Sequence, residues 1–163
     1  MNVLRYIEGK GIPFFELAKS QNLEGIVAKR KDSLYKINSR TKDWIKIKFL
    51  KDEDFVVCGY ILKMDKGYSV VSIILGTYHN DKLISQGHVT MGVSRDEFKI
   101  IQNQEVLADA PFEKKESEAV YNKPDLVCSV KYMERTPQGG LRQPVFKGLR
   151  MDKLPKDCIL KKF

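Results

Sequence analysis

The sequence lacks any apolar run long enough to cross a membrane. Its longest apolar stretch, around Val70 to Leu75, has the length of a strand, whereas a membrane helix needs roughly 20 apolar residues. The N-terminus, MNVLRYIEGKG, has no apolar core of the kind found in signal peptides, and the chain shows no internal repeat and no low-complexity tract. These absences predict a soluble protein of the cytoplasm with no membrane partner.

Cysteine and histidine are also scarce. Cys58, Cys128 and Cys158 lie far apart without a Cys-x-x-Cys pair, and His79 and His88 have no metal-ligand spacing. A zinc site or a disulfide framework is therefore not expected. We predict that the cysteines are small buried hydrophobic residues in a reducing compartment, and that the histidines have loop or barrel-surface roles.

What the sequence does contain is positive charge, with 29 Lys and Arg against 21 Asp and Glu, a net charge of +8 and a pI near 9.3. Residues 1–50 hold 11 Lys and Arg against 5 Asp and Glu, and residues 51–163 hold 18 against 16. This excess favours an anionic partner, either nucleic acid or nucleotide phosphate. A merely solvated basic face remains the alternative at this point.

The first 50 residues predict few elements. Gly11-Ile12-Pro13 followed by FFELAKSQN is typical of a short helix with Pro13 at its first position and Asn22 at its end. LEGIVAKR, from Leu23 to Arg30, predicts a strand, and a polar loop carrying Tyr35 leads into a second strand in DWIKIKF, from Asp43 to Phe49. Because these elements are too few to close a core, we interpret them as the end of an α+β domain.

After a charged break at residues 51–54 the pattern changes to strands. FVVCGYILKM, YSVVSIILGTYH and KLISQGHVTMG are three strand-like runs, and a helix follows with Ser94 and Glu97 as a capping box and Phe98, Ile101 and Leu107 on its apolar face. A charged linker at 113–118 precedes two more strands, DLVCSVKYME and LRQPVFKGLR. Three strands, a helix and two strands is the order of a five-stranded OB-fold barrel. The sequence thus predicts a mainly β protein with domains at 1–50 and 51–163.

The strand DWIKIKF carries the first candidate site residues. Alternate side chains share a face, so the tryptophan, Lys46 and Lys48 point one way, and Ile45, Ile47 and Phe49 are expected to face a core. The backbone positions of the two lysines lie about 7 Å apart, close enough for their ammonium groups to repel each other unless an anion lies between or beside them. The alternative is an edge strand that uses lysine to block aggregation.

Two further segments offer groups that bind phosphate. Glu24, on the preceding strand, is either simply exposed or holds a divalent metal over a phosphate that the lysines neutralise. In GLRMDK, Arg150 presents a planar fork suited to phosphate, Lys153 a point charge, and Asp152 a carboxylate able to orient either one. Alone, such a tetrapeptide is weak evidence.

Together these segments resemble a known family. EGIVAK, then the tyrosine-to-lysine segment Tyr35-x4-Arg40-Thr41-x2-Trp44-Ile45-Lys46-Ile47-Lys48, then Arg150-Met151-Asp152-Lys153 about a hundred residues later, are similar to motifs IV, V and VI of the ATP-dependent DNA ligases. These enzymes belong to the covalent nucleotidyltransferases. KRKDSLYKINSRTKDWIKIK and LRQPVFKGLRMDK most resemble the ligase domain of DNA ligase D.

The resemblance implies a role for each matched position. Glu24 corresponds to the motif IV residue that helps bind Mg²⁺ or Mn²⁺, and Lys46 and Lys48 correspond to the motif V lysines that contact the α-phosphate of ATP or of the bound adenylate. Arg150 and Lys153 correspond to the motif VI cations that act on the β and γ phosphates in the first step, with Asp152 between them.

Four further basic residues among the first 50 are expected to lie at the surface or to face DNA. Arg40 corresponds to a basic residue near nucleotide and DNA, Lys42 lies beside it, and Lys29 and Arg30 are interpreted as surface or DNA-facing charges. The implied partners are nicked duplex DNA and end-joining proteins, in the cytoplasm at the nucleoid, and both repair and replication settings stay open.

The nucleophile of such a ligase is missing from the sequence. The family forms lysyl-AMP on a Lys-x-Asp-Gly motif, and the nearest string here, at residues 63–66, ends in lysine. We therefore expect the chain to be the C-terminal part of a ligase, with its N-terminal adenylation region elsewhere, and to be inactive alone in self-adenylylation. A non-catalytic OB-fold DNA-binding module is the alternative, and an RNA ligase or capping enzyme is disfavoured by the LRQPVF and GLRMDK phrases.

Overall fold

The computed structural model describes residues 6–21, 23–34, 36–65, 67–113 and 115–160. The chain divides into two compact units, Met1–Phe49 and Leu50–Phe163. This division falls within one residue of the predicted boundary at 50/51, and the assignment of the units to an adenylation domain and an OB domain stays a prediction.

In its described residues the first unit contains one helix and one hairpin. Helix α1 spans Gly11–Ser20, strand β1 spans Gly25–Lys29 and strand β2 spans Trp44–Lys48, with the two strands antiparallel. Pro13 is the third helical residue rather than the first, which is tolerated because the first four N–H groups of a helix have no intrahelical partner. The predicted helix end at Asn22 and the loop residue Tyr35 lie outside the described residues.

The prediction that the apolar side of β2 faces a core is wrong for its two isoleucines. Ile45 is 54% exposed and Ile47 is 38% exposed. Phe49, just past the strand, is half-buried and packs its ring 4.5 Å from that of Phe15, measured between centroids. One helix and two strands offer too few side chains to cover this face, and among the described residues of this unit only Ala18 is fully buried.

The described residues of the second unit form a five-stranded barrel with one α-helix and a short 3-10 helix at Pro155–Asp157. Its elements are β3 (Lys51–Asp65), β4 (Tyr68–His79), β5 (Lys82–Val89), α2 (Arg95–Gln102), β6 (Ala119–Tyr132) and β7 (Val145–Leu149). Neighbouring strands pair antiparallel in the order β5-β4-β3-β6-β7. Met91 forms a parallel bridge with Val145, and the backbone N–H of Phe146 donates to the Met91 carbonyl at 2.8 Å. This bridge joins the two ends of the sheet, so the predicted OB-fold barrel is confirmed.

The predicted charged break at residues 51–54 is wrong, because these residues begin β3. They pair with β6 from Lys51↔Tyr132 onward. Asp52 and Asp54 share one face of the strand, where lysines pair with them, and Glu53 lies on the other face, where Arg135 neutralises it. The strand continues through this acidic run because each carboxylate has a partner.

Helix α2 begins as predicted. The Glu97 N–H donates to Ser94 Oγ at 3.3 Å and the Ser94 N–H donates to Glu97 Oε2 at 3.2 Å, which forms the capping box. Ile101 is buried in the barrel core and Phe98 packs edge-on against Tyr60. Leu107 does not belong to the helical face, because the helix ends at Gln102; it packs instead against a second apolar cluster.

The last two strands differ in length from the prediction. Strand β6 starts at Ala119 rather than Asp125, and it passes through an irregular stretch between Tyr121 and Leu126, where Pro124 needs no ladder hydrogen bond. Strand β7 is only five residues long, Val145–Leu149, within the predicted run LRQPVFKGLR.

All three cysteines are free and buried, and their burial is as predicted. Cys128 lies in the main barrel cluster, and Cys58 and Cys158 lie in the second cluster. Burial raises the pKa of each thiol, so all three are neutral and unreactive at neutral pH. His88 is exposed on the barrel surface, its Nδ1 lying 3.7 Å from Glu116 Oε2. Among the helices described, none is both long and apolar enough to span a bilayer.

Candidate phosphate-binding sites

The hairpin of the first unit brings Glu24 to Lys48. In the β1–β2 register Gly25 lies opposite Lys48, and a Cβ on Gly25 would lie 2.2 Å from the Ile47 carbonyl oxygen, so only glycine allows this close approach. The Phe49 N–H donates to the Glu24 carbonyl at 3.1 Å and closes the hairpin end. As a result Glu24 Oε1 lies 3.8 Å from Lys48 Nζ.

Lys46 lies on the same face of β2 as Lys48. It is exposed and pairs with Val27 in the ladder, and within the described part of the chain it makes no ion pair shorter than 4.0 Å, whereas Lys48 has Glu24. Two cations thus project from alternate positions of one strand face, and Lys46 is the more available of the two to an external anion.

Lys29 adds a third cation to this face. It lies directly opposite Trp44 in the ladder, and its Nζ is 4.0 Å from the centroid of the Trp44 ring, a cation–π contact. The Trp44 Nε1–H donates to Ser33 Oγ at 3.3 Å, which fixes the ring. The sequence predicted Lys29 only as a surface or DNA-facing charge, and the pairing register places it on the same face as Lys46.

The chemistry of Glu24 fits one ligand of a divalent metal. Mg²⁺ keeps several waters and is held by one or two carboxylates together with substrate phosphates. In the described residues no group of three or more His, Cys, Asp and Glu side chains forms a protein-only metal site. Glu24 therefore suits an ion that also binds phosphate, and not a structural ion.

The residues predicted to face DNA surround the hairpin. Arg30 follows β1, its N–H donates to the Asp43 carbonyl at 2.8 Å, and its Nη1 lies 3.8 Å from Asp43 Oδ1. Arg40 and Lys42 are exposed on the loop between β1 and β2. All three are accessible to a polyanion, and the charge of Arg30 is partly offset by Asp43.

The second group of cations lies on the barrel, just after β7. Arg150 donates from Nε and Nη2 to the two oxygens of Asp152, at 2.8 and 2.7 Å, a bidentate pair. Lys153 Nζ lies 2.8 Å from Oδ2 of Asp54, and Arg150 Nη1 lies 3.5 Å from Oδ1 of the same residue. The structure thus brings Arg150, Asp152 and Lys153 together with Asp54.

Hydrogen bonding favours the charged forms of Arg150, Asp152 and Lys153. The hydrogen bonds from Arg150 are the main reason that the pKa of Asp152 falls to about 2, and Asp152 in turn raises the pKa of Arg150. The hydrogen bond to Asp54 raises the pKa of Lys153. These three side chains are therefore charged at neutral pH.

Asp54 was missed by sequence analysis, which placed it in a charged break. Its contact with Arg150 joins residues 96 positions apart, and no local pattern indicates such a pairing. The only signal was the alternation of Asp52 and Asp54, which puts both carboxylates on one face if the segment is a strand.

The OB-fold barrel carries an arginine fork and a lysine beside its last strand, and the separate hairpin carries lysines on alternate positions with a carboxylate nearby. Such groups suit a protein of the class that binds nucleotide or nucleic-acid phosphates. Comparison with known families narrows this class. Residues 12–48 match the model described as ATP dependent DNA ligase domain, and residues 66–153 match the ATP dependent DNA ligase C terminal region. The chain belongs to the ATP-dependent DNA ligase family.

Curated relatives agree with this membership. The multifunctional non-homologous end joining protein LigD of Mycobacterium bovis is 31% identical over 98% of this chain, which covers 22% of that protein. The SPbeta prophage-derived DNA ligase-like protein LigB of Bacillus subtilis is 30% identical over 91% of this chain, which covers 49% of it. The chain therefore spans between about a fifth and a half of the length of these relatives.

Solved structures show the same similarity. The ligase domain of LigD from M. tuberculosis is 31% identical, with a TM-score of 0.61, over 90% of this chain and 50% of that one. A mycobacterial DNA ligase D complexed with ATP and MES is 30% identical, with a TM-score of 0.58, over the same shares. Both similarities extend across the two units described above.

Proposed function

We propose that this chain forms part of an ATP-dependent ligase that seals nicks in duplex DNA through lysyl-AMP and DNA-adenylate intermediates. The proposal depends on two groups of cations suited to phosphate, Lys46 and Lys48 on the first unit and Arg150 and Lys153 on the second. Each group lies in a segment that matches one of the two ligase family models. The lysine nucleophile is supplied by a Lys-x-Asp-Gly segment, which this sequence does not contain.

In the first step a lysine amine attacks the α-phosphorus of ATP. A phosphorus–nitrogen bond forms, the bond from the α-phosphorus to the bridging oxygen breaks, and pyrophosphate leaves with that electron pair. Lys46 and Lys48 neutralise the charge that develops on the α-phosphate oxygens. Arg150 and Lys153 hold the β and γ phosphates as the leaving group.

The later steps use the same hairpin cations on the adenylate. AMP passes to the 5′-phosphate of the nick, and the 3′-hydroxyl then attacks that phosphate and expels AMP. A bound Mg²⁺ or Mn²⁺ would supply Lewis-acid polarisation of a phosphate oxygen, and Glu24 is the residue of this chain that would hold it. Arg30, Arg40 and Lys42 contact the DNA backbone.

The proposed partners follow from the relatives. The names of several include non-homologous end joining, and we infer end-joining proteins as partners of the complete ligase, in the cytoplasm at the nucleoid. Repair of breaks is accordingly the setting favoured here.

The proposal is tested by step-specific kinetics of the complete ligase, meaning this chain together with its Lys-x-Asp-Gly segment. Arg150→Ala is expected to reduce covalent labelling by radiolabelled ATP at least 100-fold and to leave sealing of a pre-adenylated nick within about threefold, because pyrophosphate leaves only in the first step. Lys46→Ala is expected to reduce both reactions.

The 163-residue chain incubated with labelled ATP and magnesium is the negative control. Since it contains no Lys-x-Asp-Gly, it should take up no label. Covalent AMP on this chain, or unimpaired labelling of the Arg150→Ala ligase, would contradict the proposed function.

A further inference from the structure

Asp54 holds two cations at once. One oxygen lies 2.8 Å from Lys153 Nζ, and the other lies 3.5 Å from Arg150 Nη1. Its side chain is only 16% exposed, against 36% for Arg150 and 39% for Lys153. We propose that Asp54 is a positioning residue for nucleotide binding, which sets the spacing and direction of these two cations toward the triphosphate of ATP.

The position of Asp54 is fixed by the barrel. It belongs to β3 and pairs with Ser129 of β6, and the next residue, Phe55, is fully buried in the core. Arg150 and Lys153, in contrast, lie in the turn that follows β7. Asp54 therefore ties two side chains of a turn to a strand that cannot shift without disturbing the core.

Both cations keep donors for a phosphate while they are held in this way. A guanidinium has five N–H groups and an ammonium has three. Arg150 uses two of its N–H groups for Asp152 and one for Asp54, and Lys153 uses one for Asp54. Arg150 and Lys153 can then each donate to a different phosphate of one triphosphate.

Asp54 also offsets repulsion between the cations. The Arg150 charge acts to lower the pKa of Lys153, and the hydrogen bond and charge of Asp54 outweigh it. Without Asp54 the two like charges would move apart into solvent, since nothing else described binds both. A preorganised pair binds phosphate without that reorganisation. This inference rests on the proposed role of Arg150 and Lys153 in binding the β and γ phosphates.

The test compares Asp54→Asn with Asp52→Asn in the complete ligase. Asp52 is the matched control, because it lies on the same face of β3 but holds Ser129 at 2.8 Å and Lys131 at 3.8 Å. Asp54→Asn is expected to raise the KM for ATP in lysine adenylylation about tenfold, the scale of one charge-assisted hydrogen bond, and Asp52→Asn by less than twofold. Sealing of a pre-adenylated nick by Asp54→Asn should stay within twofold of the parent.

A double variant separates positioning from a merely structural role. Lys153→Gln removes one of the held groups, so adding Asp54→Asn to it should raise the KM for ATP by clearly less than tenfold. Any of three results would overturn the inference. Asp54→Asn could have the same effect in the parent and in the Lys153→Gln ligase, it could leave the KM for ATP unchanged, or it could reduce lysine adenylylation and nick sealing in parallel. If the Asp54→Asn protein does not fold, Asp54→Glu is used in its place, because glutamate keeps the charge but moves the carboxylate oxygens by one methylene. Asp54→Glu should raise the KM for ATP at least threefold, and an unchanged KM would overturn the inference.

Arg150→Ala distinguishes this inference from the proposed function. If Arg150→Ala abolishes adenylylation and Asp54→Asn leaves the KM for ATP unchanged, only the role of Asp54 fails. If Arg150→Ala leaves adenylylation intact, the proposed function itself fails.

Discussion

Arg135 is held inside the barrel by groups from three strands. Its Nη2 lies 2.7 Å from Glu53 Oε2 of β3, and it also donates to Gln86 Oε1 of β5. Its guanidinium lies 5.6 Å from the ring centroid of Phe55 and 5.7 Å from that of Tyr132. Burial, assisted by Glu53, raises the pKa of Tyr132 to about 12, so this side of the barrel carries no phenolate. A buried ion pair in this position joins the start of β3 to the segment after β6.

Loss of one partner of this pair should destabilise the barrel strongly. Glu53→Gln leaves the Arg135 charge buried with a weaker partner, and removing one partner of a buried pair costs about 3 kcal/mol or more. We expect the free energy of unfolding of the chain, measured by urea denaturation with circular dichroism, to fall by about that amount.

An exposed pair of the same type supplies the control for Glu53. Glu134 Oε1 lies 2.6 Å from Arg142 Nη1, with about half of each side chain exposed, and exposed pairs contribute about 1 kcal/mol or less. Glu134→Gln should therefore have a small effect. Equal losses in the two variants would show that the Glu53 pair is solvated.

For the secondary-structure elements, local sequence patterns correctly predicted the features that depend on residues close together in the chain. The capping box of α2, the strand character of β2 and β4, and the OB element order follow from residue types and periods, and the structure has them. The early start of β6 did not follow, because Pro124 lies in a stretch where the register against β3 shifts. The site was predicted as separate motifs, whereas the bond that Arg150 donates to Asp54 depends on the sheet order, in which β6 pairs with both β3 and β7.

Gly59 allows β3 to pair with both β4 and β6 at a β-bulge. The register of β3 shifts between Val57 and Gly59 against both β4 and β6. A Cβ on Gly59 would lie 2.2 Å from the Val120 carbonyl oxygen and 2.9 Å from the Tyr121 Cα. Both obstacles are backbone atoms of β6, so a side chain here would push the strands apart at the bulge.

Gly59→Ala should therefore lower the free energy of unfolding by about 3 kcal/mol, at the upper end of overpacking costs. Gly140→Ala is the matched control in the same barrel, since its Cβ would meet only Thr136 Oγ1 at 3.4 Å; its effect should stay below about 1 kcal/mol. Urea denaturation checks both, and a stable Gly59→Ala barrel would contradict the close approach of β3 and β6.

Over the whole molecule, the positive charge is concentrated in the first unit. Residues 1–50 hold 11 Lys and Arg against 5 Asp and Glu, whereas residues 51–163 hold 18 against 16. On the barrel many of the described cations have carboxylate partners, among them Lys99 with Asp96, Lys115 with Asp109, and Lys123 with both Glu105 and Asp125. Long-range attraction of DNA should therefore act mainly on the hairpin unit.

This distribution predicts how the 163-residue chain binds DNA. Binding should be weak, independent of sequence and steeply dependent on salt, because the contacts are to phosphates without base readout. Replacing Arg30, Arg40 and Lys42 together by Gln should reduce the slope of log K against log salt by about 2 to 3, since each phosphate contact contributes roughly 0.9.

The control replaces Lys99, Lys115 and Lys123 by Gln, which removes the same charge from paired positions, and it should leave the slope nearly unchanged. Fluorescence anisotropy between 50 and 200 mM salt measures both, and equal losses would show that DNA responds to net charge alone and not to the hairpin.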